Sequence, residues 1–251
     1  MKRFILAGLL ACFINMPTFA IQERSENILI GENCNVAEIT PTQWRPKYAS
    51  PLRIEQALPE DLINEIYAEY MTRIRNICDD IFFRLNARNV APNSLVVFDV
   101  DGTALYASSG LKKLNPYHRF RLLPPIEYVL ALYKKLVELG YKIIFLTGRQ
   151  LQQPQAFDVT NYNLNASGYK IFKQLIMYPY SFTPEVSEDD QCLQISEWKK
   201  SQLEDLVKNK GYTLCGFIDD EPLNIDPDNP NHFKIPNLLT IEYEARIYLD
   251  R

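Results

Sequence analysis

Histidine is scarce in this chain of 251 residues: there are two, His118 and His232, far apart in the sequence. None of the five cysteines forms a C-x-x-C pair or a Cys/His metal spacing, so no zinc site is predicted. Charge of one sign is missing as well. Lys and Arg number 27 against 31 Asp and Glu, a net charge of −4, which leaves no electrostatic footprint for a nucleic acid polymer. Beyond the N-terminus no apolar run approaches the roughly 18 residues that cross a membrane. Internal repeats and low-complexity tracts are lacking too. What remains is an ordinary globular composition, 47% hydrophobic and 23% charged, enough for one sizeable core and a small accessory segment.

The N-terminus reads MKRFILAGLLACFINMPTFA, with Lys2 and Arg3 before an apolar stretch and a small-residue cleavage pattern ending at Ala20. Residues 1–20 are therefore predicted to be a signal peptide and the protein to be exported, periplasmic or secreted. Lipid anchoring at Cys12, in LLAC, is the second reading. Export places Cys34, Cys78, Cys192 and Cys215 in an oxidising compartment, where Cys34–Cys78 and Cys192–Cys215 bridges or buried free thiols are the alternatives.

Residues 21–57, with Pro41, Pro46 and Pro51 and no periodicity, read as an irregular arm. Residues 58–251 read as one α/β domain. Leu62, Ile63, Ile66, Tyr67, Tyr70, Ile74, Ile77, Ile81 and Leu85 trace one face of a long helix opened by Pro59. SLVVFDV, YKIIFLTGR and YTLCGFIDDEP are short apolar runs of the kind buried on both faces of a parallel sheet. A further strand is expected at Gln174–Met177 and a fifth in NLLTIEY. Helices are expected in IEYVLALYKKLVELG and in SEWKKSQLEDLVKNKG, the latter capped by Ser196 and Gly211. Strands alternating with helices predict a doubly wound parallel sheet.

Three of these strands end in polar residues: Asp99, Asp101 and Thr103; Thr147, Gly148 and Arg149; and Asp219 and Asp220. In open α/β sheets ligands sit outside the carboxyl ends of the strands, so these groups converge on one face. Carboxylates gathered there need a counter-charge, and hard oxygen ligands suit Mg2+. With Mg2+ on one oxygen of Asp99, the other can attack phosphorus, and Asp101 can serve as acid and base. Thr147 and a Lys from the preceding helix would hold the remaining phosphate oxygens.

DVDGT, FLTGR, a Lys-bearing helix and an acidic strand end, in that order, resemble the haloacid dehalogenase (HAD) superfamily of phosphohydrolases. Within it, KQLIMYP, GFIDDEP and HFKIPN resemble the secreted nonspecific acid phosphatases of subfamily IIIB, which include bacterial class B and class C enzymes and plant vegetative storage proteins. The resemblance implies that Asp99 is the nucleophile, Asp101 the acid/base with its backbone carbonyl on Mg2+, Thr147 a phosphate ligand and Asp220 a direct metal ligand. It implies Lys200 as the lysine that steadies nucleophile and phosphate, with Lys199 its competitor. Asp219 stands where the group often has Gly. Asn224 stands where the group has Asp, with Asp226 able to compensate from further along the loop.

The resemblance also implies a cap or specificity insertion at about 104–125. There Tyr106, Tyr117, His118 and Phe120 are candidates to stack on a base or an aromatic alcohol and Lys112, Lys113, Arg119 and Arg121 to attract phosphate, the alternative being a structured surface loop. The expected activity is Mg2+-dependent hydrolysis of small phosphomonoesters, nucleotides included, through an aspartyl-phosphate. The alternatives are a weakly catalytic storage or surface-binding protein on the same scaffold and a phosphotransferase.

Overall fold

The sheet is built from runs that have nowhere to go but inside. In the computed structural model, which describes residues 60–106, 123–153 and 155–237, the strands are β1 (Ser94–Phe98), β2 (Lys142–Gln150), β3 (Gln174–Tyr178), β4 (Thr213–Asp219) and β5 (His232–Lys234). They pair in the order β3-β2-β1-β4-β5, and every pairing is parallel. Every residue of SLVVF is buried, as a central strand covered on both faces requires. Alternate side chains serve opposite layers. Leu95 and Val97 join Ile144, Leu146, Ile176, Phe217 and the helix residues Leu203 and Leu206 on one face. On the other, Phe98 and Phe145 meet Tyr133 and Tyr169, the last two with ring centroids 4.9 Å apart.

The helices are α1 (Glu60–Asn86), α2 (Glu127–Glu138), α3 (Ala156–Ala166) and α4 (Glu188–Lys208). Tyr70, Ile74, Cys78, Ile81 and Leu85 form the buried stripe of α1, which packs on α2. The sequence placed the start of α4 at Ser196, whereas the helix begins eight residues earlier. Ser187 is its N-cap, accepting the Asp190 N–H, and Ser196 lies buried inside the helix and donates its hydroxyl to Leu223 O at 2.6 Å. Helix α3 was not anticipated, because AFDVTNYNLNA is rich in Asn, Thr and Asp, which favour turns and caps over helix interiors. The described fifth strand is HFK; of the expected NLLTIEY only Asn237 lies within the described residues.

Residues 1–59, and with them the signal peptide, the arm, Cys12 and Cys34, lie outside the described residues. So do residues 107–122, which carry Tyr117, His118 and the basic residues of the insertion. The two ends of the insertion are joined: Tyr106 N–H donates to Pro124 O at 3.0 Å and Ile126 N–H to Ala104 O at 3.0 Å. Cys78, Cys192 and Cys215 are free thiols, so of the two alternatives for Cys192 and Cys215 the structure has the free thiols and no bridge. Burial pushes the Cys78 thiol up to about 12. Among the described residues no helix is long and apolar enough to cross a membrane.

Candidate active site

The register of the central strands decides which polar groups meet. Phe98 pairs with Ile218 on β4 and with Phe145 on β2. The next residue, Asp99, donates its backbone N–H to Ile218 O at 2.9 Å, which sets it beside Asp219. Asp99, Asp219 and Asp220 are all buried, and one carboxylate oxygen from each lies within 4.8 Å of the others. Like charges so close and so dry repel, and the buried Lys199 ammonium meets two of them. Lys199 Nζ donates to Asp99 Oδ1 and to Asp219 Oδ2, both at 2.7 Å.

The ionisation of these groups follows from that geometry. Burial, with Asp219 adding to it and Lys199 opposing it, pushes the Asp99 carboxyl up to about 7. Burial and then the negative charges of Asp219 and Asp99 raise Asp220 in the same direction. Burial alone would lower Lys199, but Asp219 and Asp99 outweigh it and hold the ammonium above its ordinary value.

Lys199 occupies the inward position, which corrects the expectation for Lys200. Ser196, Lys199, Leu203 and Leu206 recur at helical spacing on the buried face of α4, whereas Lys200, one residue on and about 100° round the helix, is exposed. Tyr106 is a second correction. It is buried, and its hydroxyl is taken up by the Tyr67 hydroxyl at 3.0 Å and by Met71 Sδ at 3.1 Å. Its ring packs against Tyr67 and Tyr70 of α1, so it belongs to the core and not to a stacking surface. Asp226 does not compensate for Asn224 either, since it is exposed and its Oδ1 accepts the Asp228 N–H of its own turn.

The loop after β1 depends on a residue without a side chain. Gly102 has φ +81°, and a Cβ there would stand 2.2 Å from Asp220 Oδ2. Only glycine allows Asp220 to lie over the DVDGT turn. Thr103 donates to Asp220 Oδ1 at 3.3 Å and Asn237 to Oδ2 at 2.6 Å, fixing the carboxylate from both sides.

Strand β2 contributes the opposite wall. Its register against β3 slips between Thr147 and Gln150, leaving Gly148 and Arg149 without ladder partners, the kind of bulge that re-aims side chains at a strand end. Thr147 is buried, and its hydroxyl oxygen accepts the Arg149 N–H at 3.2 Å. A Cβ on Gly148 would come 3.0 Å from Ile195 Cγ2 of α4, so its smallness brings helix and strand together. Arg149 is not free to reach a ligand. Its guanidinium grips both oxygens of Asp101, at 2.7 and 2.6 Å, and donates its third arm to Thr160 of α3 at 3.1 Å.

Asp219 and Asn224 complete the acidic side. Asp219 Oδ2 accepts from Asn224 Nδ2 at 2.9 Å as well as from Lys199, and Oδ1 accepts the Glu221 N–H at 2.8 Å. Asn224 is itself buried, and its Oδ1 has no hydrogen-bond donor. An unpaired acceptor beside a carboxylate-rich cluster is what a hard cation would satisfy, so these residues fit Mg2+. Asp219 was singled out by the sequence without a role. The signal for one was there, since it closes a strand whose last five residues are all buried.

The family model for the HAD superfamily, subfamily IIIB (acid phosphatase), matches residues 26–241. The chain belongs to that family. Among curated relatives of this subfamily IIIB chain, a stem 31 kDa glycoprotein of Glycine max is 26% identical over 210 residues, 75% of this chain and 78% of that one. Vegetative storage protein 2 of Arabidopsis thaliana is 31% identical over 188 residues, 68% of this chain and 66% of that one. Among solved structures, a class C acid phosphatase from Bacillus anthracis with tungstate bound superposes with a TM-score of 0.48 at 15% identity. That match covers 70% of this chain and 81% of the other.

Proposed function

We propose that this subfamily IIIB protein is an exported, Mg2+-dependent phosphomonoesterase that works through an aspartyl-phosphate on Asp99. The observation that carries the reading is the placement of Asp99 at the end of β1, gripped by Lys199 and flanked by a carboxylate cluster with an unpaired acceptor. Asp99, Asp220, Asn224 Oδ1 and the backbone carbonyl of Asp101 would hold the ion. Bound there, Mg2+ supplies positive charge to the phosphate oxygens and screens the carboxylates from one another.

The chain's own residues carry the steps. Lys199 orients the Asp99 carboxylate and presents its charge to the phosphoryl group, with Thr147 Oγ1 as a further donor. An Asp99 oxygen forms a bond to phosphorus as the ester P–O bond breaks, and the electron pair leaves on the alkoxide. Asp101 gives that oxygen a proton, then takes one from the water that attacks phosphorus and frees phosphate and Asp99. Arg149 fixes Asp101 in place meanwhile, so proton transfer exchanges against one arm of the fork.

The substrates that suit this reading are small phosphomonoesters, nucleotides included. The test is hydrolysis of an aryl phosphate by the wild type and by Asp99→Asn, with and without EDTA. Activity in the wild type, lost in the variant and on chelation, is expected; full activity in Asp99→Asn, or indifference to EDTA, refutes the mechanism. The names of the plant relatives favour a second reading, a storage protein on this scaffold with little turnover. Wild-type turnover no faster than that of Asp99→Asn would select it.

A further inference from the structure

We propose that Asp219 is a positioning residue, which turns the Asn224 amide so that its carbonyl oxygen becomes a neutral cation ligand while anchoring Lys199 against Asp99. This rests on the cation-dependent reading of the site. An asparagine amide has two faces of opposite character, and its environment decides which way each points. Here Asp219 Oδ2, an acceptor only, takes Asn224 Nδ2 at 2.9 Å. The carbonyl oxygen is thereby turned elsewhere, buried and without a donor.

The turn bearing Asn224 (Pro222–Asn224) is itself held firmly. Ser196 of α4 donates to Leu223 O at 2.6 Å and Asn224 N–H donates to Glu221 O at 3.0 Å, so the backbone that carries the side chain is fixed. Asp219 bonds both partners directly. It is fully buried, with Lys199 and Asn224 on one oxygen and the Glu221 N–H on the other.

Positions 219 and 224 then form a matched pair. A carboxylate at 224 would place a second negative charge about where Nδ2 now sits, 2.9 Å from Asp219 Oδ2. The charge therefore stands at 219, beside Lys199, and 224 is neutral. The pairing should survive an exchange of the two residue types, because an amide at 219 can donate to a carboxylate at 224 and leave that carboxylate's other oxygen for the cation.

The experiment titrates Mg2+ calorimetrically into the substrate-free, EDTA-stripped full chain, with folding checked by circular dichroism. Asp219→Asn and Asn224→Ala are each expected to weaken binding by about ten-fold or more, in the range for partners that orient metal ligands. Asp219→Asn/Asn224→Ala should be no weaker than the worse single variant, and Asp219→Asn/Asn224→Asp should bind as tightly as wild type or tighter. Asn224→Ala leaves the Lys199 contacts untouched, so it speaks even where Asp219→Asn perturbs the fold. Unchanged affinity in Asp219→Asn and Asn224→Ala, additive losses, or no rescue by the exchanged pair overturns this inference alone. A wild-type chain that binds no Mg2+ overturns the cation reading of the proposed function with it.

Discussion

Replacing Lys199 by Met keeps the length and apolar stem of the side chain and deletes only its charge. In the metal-free protein this strips from Asp99 and Asp219 the buried ammonium that bridges them, within a carboxylate cluster whose oxygens lie within 4.8 Å of one another. Breaking a buried pair by removing one partner costs about 3–5 kcal/mol. For a domain of this size, 1 kcal/mol moves Tm by about 2–4 °C, so Lys199→Met should melt roughly 6–20 °C below wild type. The neighbouring Lys200→Met, on the exposed side of the same turn, should change stability by no more than about 0.5 kcal/mol. The assay is a thermal melt of both variants in EDTA at pH 8, above the value of about 7 at which Asp99 titrates. At pH 5 Asp99 takes up a proton instead, and the gap between the variants should narrow. A Lys200→Met variant as damaged as Lys199→Met would refute the assignment, and so would two variants that both melt like wild type.

Asp99 binds its proton more tightly folded than unfolded, so its contribution to the stability of the metal-free protein is fully present below the ordinary carboxylate range and is lost as pH rises through about 7; the raised Asp220 acts in the same direction. Melting curves in EDTA across that range should show the decline, and Asp99→Asn should flatten it. Gly102→Ala drives a Cβ into Asp220 and should abolish Mg2+ binding by calorimetry. Gly211→Ala, at φ +70° with nothing within 4 Å, should cost only the backbone strain of about 1–2 kcal/mol and leave binding intact. Tyr106→Phe deletes a hydroxyl bonded to Tyr67 and Met71, so it should lower stability by about 0.5–1.5 kcal/mol with KM for an aryl phosphate unchanged.

The parts of the fold that could be read from sequence are those in which burial leaves an unbroken signature. SLVVF, KIIFL and CGFID are apolar apart from Ser94 and Lys142 at their starts and Gly216 and Asp219 in the last, a pattern that a sheet covered on both faces demands. Helix α3 was invisible because its inward residues include Thr160 and Asn163, polar groups that no hydrophobic period would select. The edge strand HFK is too short to carry a pattern at all. At the site, the ends of β1, β2 and β4 announced themselves, and motif order alone could not choose between adjacent lysines. Helix phase could, because Lys199 shares a stripe with Leu203 and Leu206. Tyr106 misled for a related reason: nearness to a loop in sequence says nothing about which face of the loop a ring takes, and α1 offered it a hydrophobic seat.

The strand order has a temporal consequence. β1, the earliest described strand in the chain, occupies the middle of the sheet and waits for β4, whose partner residues follow it by more than a hundred positions. Asp99 is thus synthesised well before Lys199, Asp219 and Asp220 exist to join it. A ribosome-bound chain that has not yet emitted β4 holds Asp99 without its acidic neighbours Asp219 and Asp220. The acidic cluster therefore forms only with the closing of the sheet, and an unfinished chain lacks it.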